Sequence, residues 1–341
     1  MKKYTPLLLA AATSGMGYGQ TTAYTTPVGY ISAKIAASGE TFIASTLVAP
    51  DSFAGVTTND PSGIKAVTIA STLPVDVSPL AFYLEITSGA NEGWWSTITA
   101  LTGSTTITTN DTLPSGLAVG TKIAVRAHQT LKGMFGANSA GLVTGIDLNA
   151  DEVQLLDPIT QKITAFFYAS QTDINGASLT GQISPGWFDG SGAPSDNVVI
   201  VPGSAVKVVH KAPGNLSLVV AGAVKTTKTQ IDIYQGTNFV APMLAAGTTL
   251  GATNLDTGNI NTGLKRGVDL SVDEIQLIST SQVVSPYFCA DPVAAPGYSG
   301  FYDGAGVSFN SQFVPEWQGA IIIRKIPTPA TWTAPAQVIA Q

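Results

Sequence analysis

Two adjacent carboxylic acids stand in "DLNADEVQLL" (147–156) and again in "DLSVDEIQLI" (269–278), and six of the ten residues are identical. Paired carboxylates are the raw material of acid–base chemistry, and a glycosidase needs two of them roughly 5–10 Å apart across one cleft. The surroundings argue for another use. Both phrases run into β-branched residues, and neighbours on a strand point to opposite faces, so Asp151 and Glu152 cannot serve one substrate. Asp151 and Asp273 would face each other only if the two segments packed around a two-fold axis. A duplicated fold copies its turns, whereas a single active site has no reason to occur twice. Asp147 and Asp151 are therefore expected to accept hydrogen bonds from turn amides ahead of the strand.

The other reactive side chains are sparse. His128 and His210 each end an apolar stretch led by a glycine (Gly120, Gly203), and a third such stretch ends in Arg324-Lys325. A soluble basic cap on each strand accounts for all three. A zinc or iron site would need ligands that converge, which two histidines in equivalent places of different units do not do, so no metal and no cofactor is expected. The single cysteine, Cys289, lies in the apolar "PYFCAD" with no base beside it and reads as a small core residue. Neither a G-x-S-x-G elbow nor a phosphate-binding G-x-x-x-x-G-K-[ST] loop occurs. "DGSGAPSD" and "DTGNINTG" lack the acid density of a high-affinity calcium cage.

The best binding candidates are two aromatic-Asp-Gly segments. Trp187, Phe188 and Asp189 sit in "PGWFDGSG", and Phe301, Tyr302 and Asp303 in "PGYSGFYDGAG". In surface loops, flat rings beside a carboxylate could hold a sugar; alternatively the rings plug the end of a β layer and Asp-Gly makes a tight turn. Trp94 and Trp95 are adjacent, so on a strand one ring faces the core and the other faces outward.

These residues must be positioned by β-structure. Asp157-Pro158 opens a turn, which makes Glu152–Leu156 and Lys162–Tyr168 a hairpin, repeated at Glu274–Ile278 and Val283–Cys289. The repeat continues: "VPGSAVKVVHK" matches "EWQGAIIIRK", and "GETFIASTLVAP" from Gly39 resembles "GTNFVAPMLAAG" from Gly236. Phe82, Leu84 and Ile86 alternate with Tyr83, Glu85 and Thr87 in a further hairpin, and no amphipathic helix of three turns is evident. The expected class is all-β, with sandwich or barrel-like layers. The expected divisions are an N-terminal β domain (20–130), a first β unit (131–226), a second unit repeating it (227–326) and a Pro-rich extended tail (327–341).

The first 19 residues read as an export signal: Lys2 and Lys3, the apolar "PLLLAAA", then small residues up to Gly19. That apolar run is far short of the ~20 residues that span a bilayer, and no later segment qualifies. Only 11% of residues are charged, against about 25% in an average soluble domain, and the formal net charge is −6 without a basic run. A nucleic-acid partner is excluded on that ground.

"TTAYTTPVGYI", "VRAHQTLKGMFG", the paired "DEVQLL…FFY" and "DEIQLI…YF" phrases and "PATWTAP" together resemble a family of uncharacterised exported proteins known chiefly from Verrucomicrobia-type bacteria. The resemblance covers nearly the whole mature chain, implies export and carries no activity. The expectation is an exported, non-enzymatic structural or surface-interaction protein of the cell surface, periplasm or medium. It would self-associate by strand addition through residues 20–30, whose "QTTAYTTPVGY" is strand-prone. The alternative partner is a surface glycan held by the aromatic-Asp-Gly loops. An outer-membrane barrel or a hydrolase assembled from distant residues ranks behind these.

Overall fold

The computed structural model describes residues 27–338 except 137, 138, 147, 148, 178, 180, 182 and 270, so Asp147 lies outside the described residues. The fold is nearly all β, with 43% of residues in strands and 6% helical, as the composition predicts.

The chain opens with β1 (Val28–Ile35), β2 (Gly39–Ala44) and β3 (Leu47–Val48). A second group follows: β4 (Asp51–Val56), β5 (Ala66–Thr68), β6 (Phe82–Ile86), β7 (Trp95–Thr102), β8 (Thr106–Thr109) and β9 (Lys122–Ala127). These form one six-stranded antiparallel sheet in the order β4-β9-β6-β7-β8-β5. Its inward residues, among them Leu84, Ile86, Ile98, Ile107 and Val125, make a core of their own.

Next come β10 (Gln129–Thr130), the short helix α1 (Leu131–Phe135), β11 (Glu152–Asp157), β12 (Lys162–Ala169) and the helix α2 (Gln171–Gly176). β13 (Gly186–Asp189), β14 (Val199–Ile200), β15 (Ala205–His210) and β16 (Leu216–Val224) complete this part. The last third holds β17 (Thr229–Ile233), β18 (Gly236–Val240), β19 (Thr248–Thr249), β20 (Glu274–Ile278) and β21 (Val284–Ala290). It ends with β22 (Gly300–Tyr302), β23 (Phe313–Val314), β24 (Ala320–Arg324) and β25 (Ala330–Ala334).

Two five-stranded sheets result, β13-β12-β11-β15-β2 and β22-β21-β20-β24-β18, and they correspond strand for strand. Each is covered by a smaller layer: β1-β16-β3 over the first and β17-β25 over the second. Ala33, Ile35, Leu218 and Val220 of the first cover meet Val153, Val206 and Trp187 below, while Ile231, Ile233 and Trp332 of the second meet Ile275, Ile322 and Phe301. Each unit is thus a two-layer sandwich, which buries the apolar face that either sheet alone would expose.

Two boundaries differ from expectation. Residues 28–48 belong to the first sandwich, because β2 pairs with β15 along Ala44↔Ala205 to Gly39↔His210, just as β18 pairs with β24. The six-stranded sheet is therefore an insertion, placed where the second sandwich has only a short link between β18 and β19. The Pro-rich tail, in turn, supplies β25. Ala330, Trp332 and Ala334 alternate inward with Thr331 and Thr333 between them, so the covering layer takes its second strand from a segment whose prolines sit outside the paired stretch.

The sandwiches meet reciprocally. Phe42 of β2 packs edge-on against Phe239 of β18 at 4.8 Å, Ile43 bridges to Gln318, and Val240 bridges to Ser204. Gln161, in the β11–β12 turn, holds both backbone groups of Thr237, and Gln282, in the β20–β21 turn, holds both of Glu40. Residue i contacts j and its counterpart j′ contacts i′, which is the signature of a two-fold interface. The insertion is tied on by buried charge: Glu85 of β6 bonds Arg126 of β9 at 3.2 Å and Lys225, beyond β16, at 2.6 Å, while Arg126 also reaches Asp51 at 2.8 Å. Among the described residues no sheet closes into a barrel, and no helix is long and apolar enough to cross a membrane.

Candidate functional site

The repeated acids are internal clamps. Asp151 is buried at the foot of β11, where it accepts from the Val143 amide (2.8 Å) and the Lys211 amide (2.7 Å), with His210 Nδ1 at 2.6 Å. Asp273, buried at the foot of β20, accepts from the Lys265 amide (2.8 Å), the Lys325 amide (2.8 Å) and Arg324 Nη1 (3.0 Å). Each carboxylate pins the loop before its strand to the end of the strand beside it. The expectation of turn-amide bonding holds at Asp151. The two units do pack around a two-fold, yet each acid is spent inside its own sandwich. Glu152 and Glu274 point the other way, each accepting from a glutamine two residues on.

The expectation of soluble basic caps holds only at Lys325, which is exposed. His128, His210 and Arg324 are all buried. His210 spans Asp151 and the Gly214 carbonyl, and Arg324 donates to Asp273 and to the carbonyls of Gly263, Ile260 and Thr328. A basic residue at a strand end can face inward when an aspartate waits there. His128 instead has its ring 5.0 Å from Tyr83 and Nε2 3.1 Å from Thr97 Oγ1, and burial pushes its pKa down to about 4. Cys289 sits in the second core, and burial raises its thiol well above the ordinary range, so it is held as the neutral thiol.

The aromatic-Asp-Gly residues are corrected as well. Trp187 and Phe188 lie in β13, and Phe301 and Tyr302 lie at the matching edge, in β22; all four are buried, with Trp187 at 1% and Phe301 at 0% exposure. Their faces fill the sandwich ends and are not offered to a sugar. Asp189 Oδ1 accepts from the Ser191 and Ala193 amides, and Asp303 Oδ1 accepts from the Ala305 and Val307 amides, so both acids close tight loops. Hydrogen bonds from Ser191 and from those amides lower the Asp189 carboxyl. No group of three or more His, Cys, Asp or Glu that could hold a metal occurs among the described residues.

Besides a cleft of about 490 Å³ beside β20 and β21, lined among others by Glu274, Tyr287 and Lys325, two features are open to solvent. The first is a groove of about 490 Å³ where all three bodies meet. The insertion contributes Trp94, Trp95 and Asp111; the first sandwich contributes its β11–β12 turn and the approach to β15; the second contributes Asp232 and Tyr234. Both tryptophans are half-buried and both line the groove; Trp94 also packs against the core of the insertion while Trp95 does not, the division that their adjacency predicts. Trp95 donates its indole N–H to the Gln230 carbonyl at 3.0 Å, which fixes one wall to the other. Sequence reasoning isolated the tryptophan pair and missed Asp111, Asp232 and Tyr234, which come from segments more than 100 residues apart.

The second feature is β1. It forms one margin of its layer, so its outer backbone edge has no strand partner among the described residues. Val28 (65% exposed) and Tyr30 (76%) project from its outer face, next to Val219 (62%) of β16. Comparison with known protein families, curated proteins and solved structures found no match to this chain.

Proposed function

We propose that this is an exported, non-catalytic structural protein that associates with copies of itself through β1. The observation that carries the reading is the open edge of β1 beside an apolar outer face of Val28, Tyr30 and Val219. An unpaired edge presents a row of backbone donors and acceptors to an incoming strand, and natural proteins usually blunt such edges with charge or proline. β1 carries Lys34 near its inner end, but the half that follows Pro27 is uncharged. The neighbouring segment 20–26, with four threonines and a tyrosine, has a strand-prone composition that suits the same pairing. The interior supports a scaffold role: the paired acids and their basic partners serve as struts. Export is supported by the leading "MKKYTPLLLAAA" and by the low charge, and the likeness to exported Verrucomicrobia-type proteins fits that reading.

Size-exclusion chromatography with light scattering on residues 20–341 tests the proposal. Oligomers that grow with concentration are expected in the wild type, and Tyr30→Lys together with Val219→Lys should return a monomer with an unchanged circular dichroism spectrum. A wild-type chain that stays monomeric at every concentration refutes it.

A further inference from the structure

We propose that the groove at the junction of the three bodies binds a neutral, hydroxyl-rich ligand of the sugar-chain class. The first support is where it lies. The two sandwiches are related by a two-fold, so whatever they build between them they build twice. The insertion occurs once, and Trp94, Trp95 and Asp111 give this groove a wall that the two-fold cannot repeat. A feature unique to one side of a repeated scaffold is where a single binding function can reside.

The second support is the chemistry of the walls. Trp94, Trp95 and Tyr234 present half-buried rings, which suit the C–H faces of a pyranose. Asp111 and Asp232 are acceptor-only and exposed, so they select hydroxyl or ammonium donors and repel phosphate, sulfate and uronic acids. No lysine or arginine lines the groove among the described residues. Both carboxylates already accept from neutral hydroxyls: Ser96 Oγ to Asp111 at 2.7 Å, and Thr331 Oγ1 to Asp232 at 2.8 Å. Sugar hydroxyls would extend this pattern, since each both donates and accepts. Burial, with the nearby Asp232 and Asp111 charges, raises the Tyr234 hydroxyl and keeps it protonated as a donor. The volume falls within the range of small-ligand sites. Because the groove touches all three bodies, a bound chain would also brace their arrangement.

The test is a titration of the mature chain with neutral hexasaccharides: β-1,4-glucan, β-1,4-linked N-acetylglucosamine, α-1,4-glucan and β-mannan. Tryptophan emission is the readout, since Trp94 and Trp95 line the groove, while Trp187 and Trp332 are sealed in cores and the half-buried Trp317 packs against the first core outside the groove lining. At least one hexasaccharide should shift the emission saturably, and Tyr234→Ala should weaken that binding about tenfold, the loss expected of a removed aromatic platform. Asp232→Asn, which keeps size and fold, should weaken it about threefold. The proposal is overturned if no hexasaccharide acts up to about 10 mM, or if both variants bind as the wild type does. It is equally overturned if a Lys- and Pro-rich peptide run in parallel binds while no sugar does.

Discussion

Replacing Asp273 by alanine separates two costs that the paired clamps otherwise hide. In the wild type this buried carboxylate satisfies two backbone amides and stands 3.0 Å from the fully buried Arg324 guanidinium. Removing it strands the Lys265 and Lys325 amides, at about 1 kcal/mol each. It also leaves a cation without its counter-charge, at about 3–5 kcal/mol. Burial already pulls the Arg324 pKa below its ordinary value, and a guanidinium cannot shed its proton to escape. The expected total of about 5–7 kcal/mol rivals the whole stability of an ordinary domain. Asp151→Ala strands the Val143 and Lys211 amides in the same way, but its side-chain partner is an imidazole and not an obligatory cation like a guanidinium, so about 2–3 kcal/mol is expected. Hydrogen exchange resolves the two units separately: β20 and β24 should lose protection in Asp273→Ala far more than β11 and β15 do in Asp151→Ala. Pairing Asp273→Ala with Arg324→Met should recover part of the loss, since an apolar replacement removes the unpaired charge. Equal losses in the two single variants would refute the idea that a buried, uncompensated charge sets the difference.

Three further outcomes follow from other parts of the fold. His128 favours its neutral form when folded, with a pKa of about 4 against an ordinary 6.5, so the unfolded chain takes up the proton first as pH falls; up to about 3 kcal/mol of stability should drain away between pH 6.5 and 4. Urea titrations of wild type and His128→Phe at pH 7 and 4.5 check this, the variant losing less. Glu85→Gln should cost about 3–5 kcal/mol by leaving Lys225 and Arg126 buried with one anion fewer, and a lowered melting temperature, partly restored in Glu85→Met with Lys225→Met, would show it. Gly203 and Gly120 both hold positive φ (82° and 86°), so alanine costs about 1 kcal/mol at either. A Cβ on Gly203 would also strike Ile231 of the other sandwich, while Gly120 faces open space, so Gly203→Ala should lower the melting temperature clearly more.

Local pattern carried far in this chain, and it failed where distance in sequence grew. The hairpins at 152–169 and 274–290 were legible because Asp157-Pro158 and the β-branched runs act within a few residues, and Asp157 does cap its turn through the Ile159 and Thr160 amides. The likeness of "GETFIAS" to "GTNFVAP" was also legible, yet its meaning was not. Only pairing with β15, some 160 residues away, shows that β2 belongs to the first sandwich and that the six-stranded sheet interrupts it. The basic strand ends were misread for a related reason. Exposure is the ordinary fate of Arg, Lys and His, and nothing near Arg324 announces that Asp273 will meet it inside the fold. The candidate groove was the least legible, because repetition told only what the two halves share. Its aromatic wall belongs to the segment that has no second copy, so the repeat is least informative where this molecule departs from symmetry.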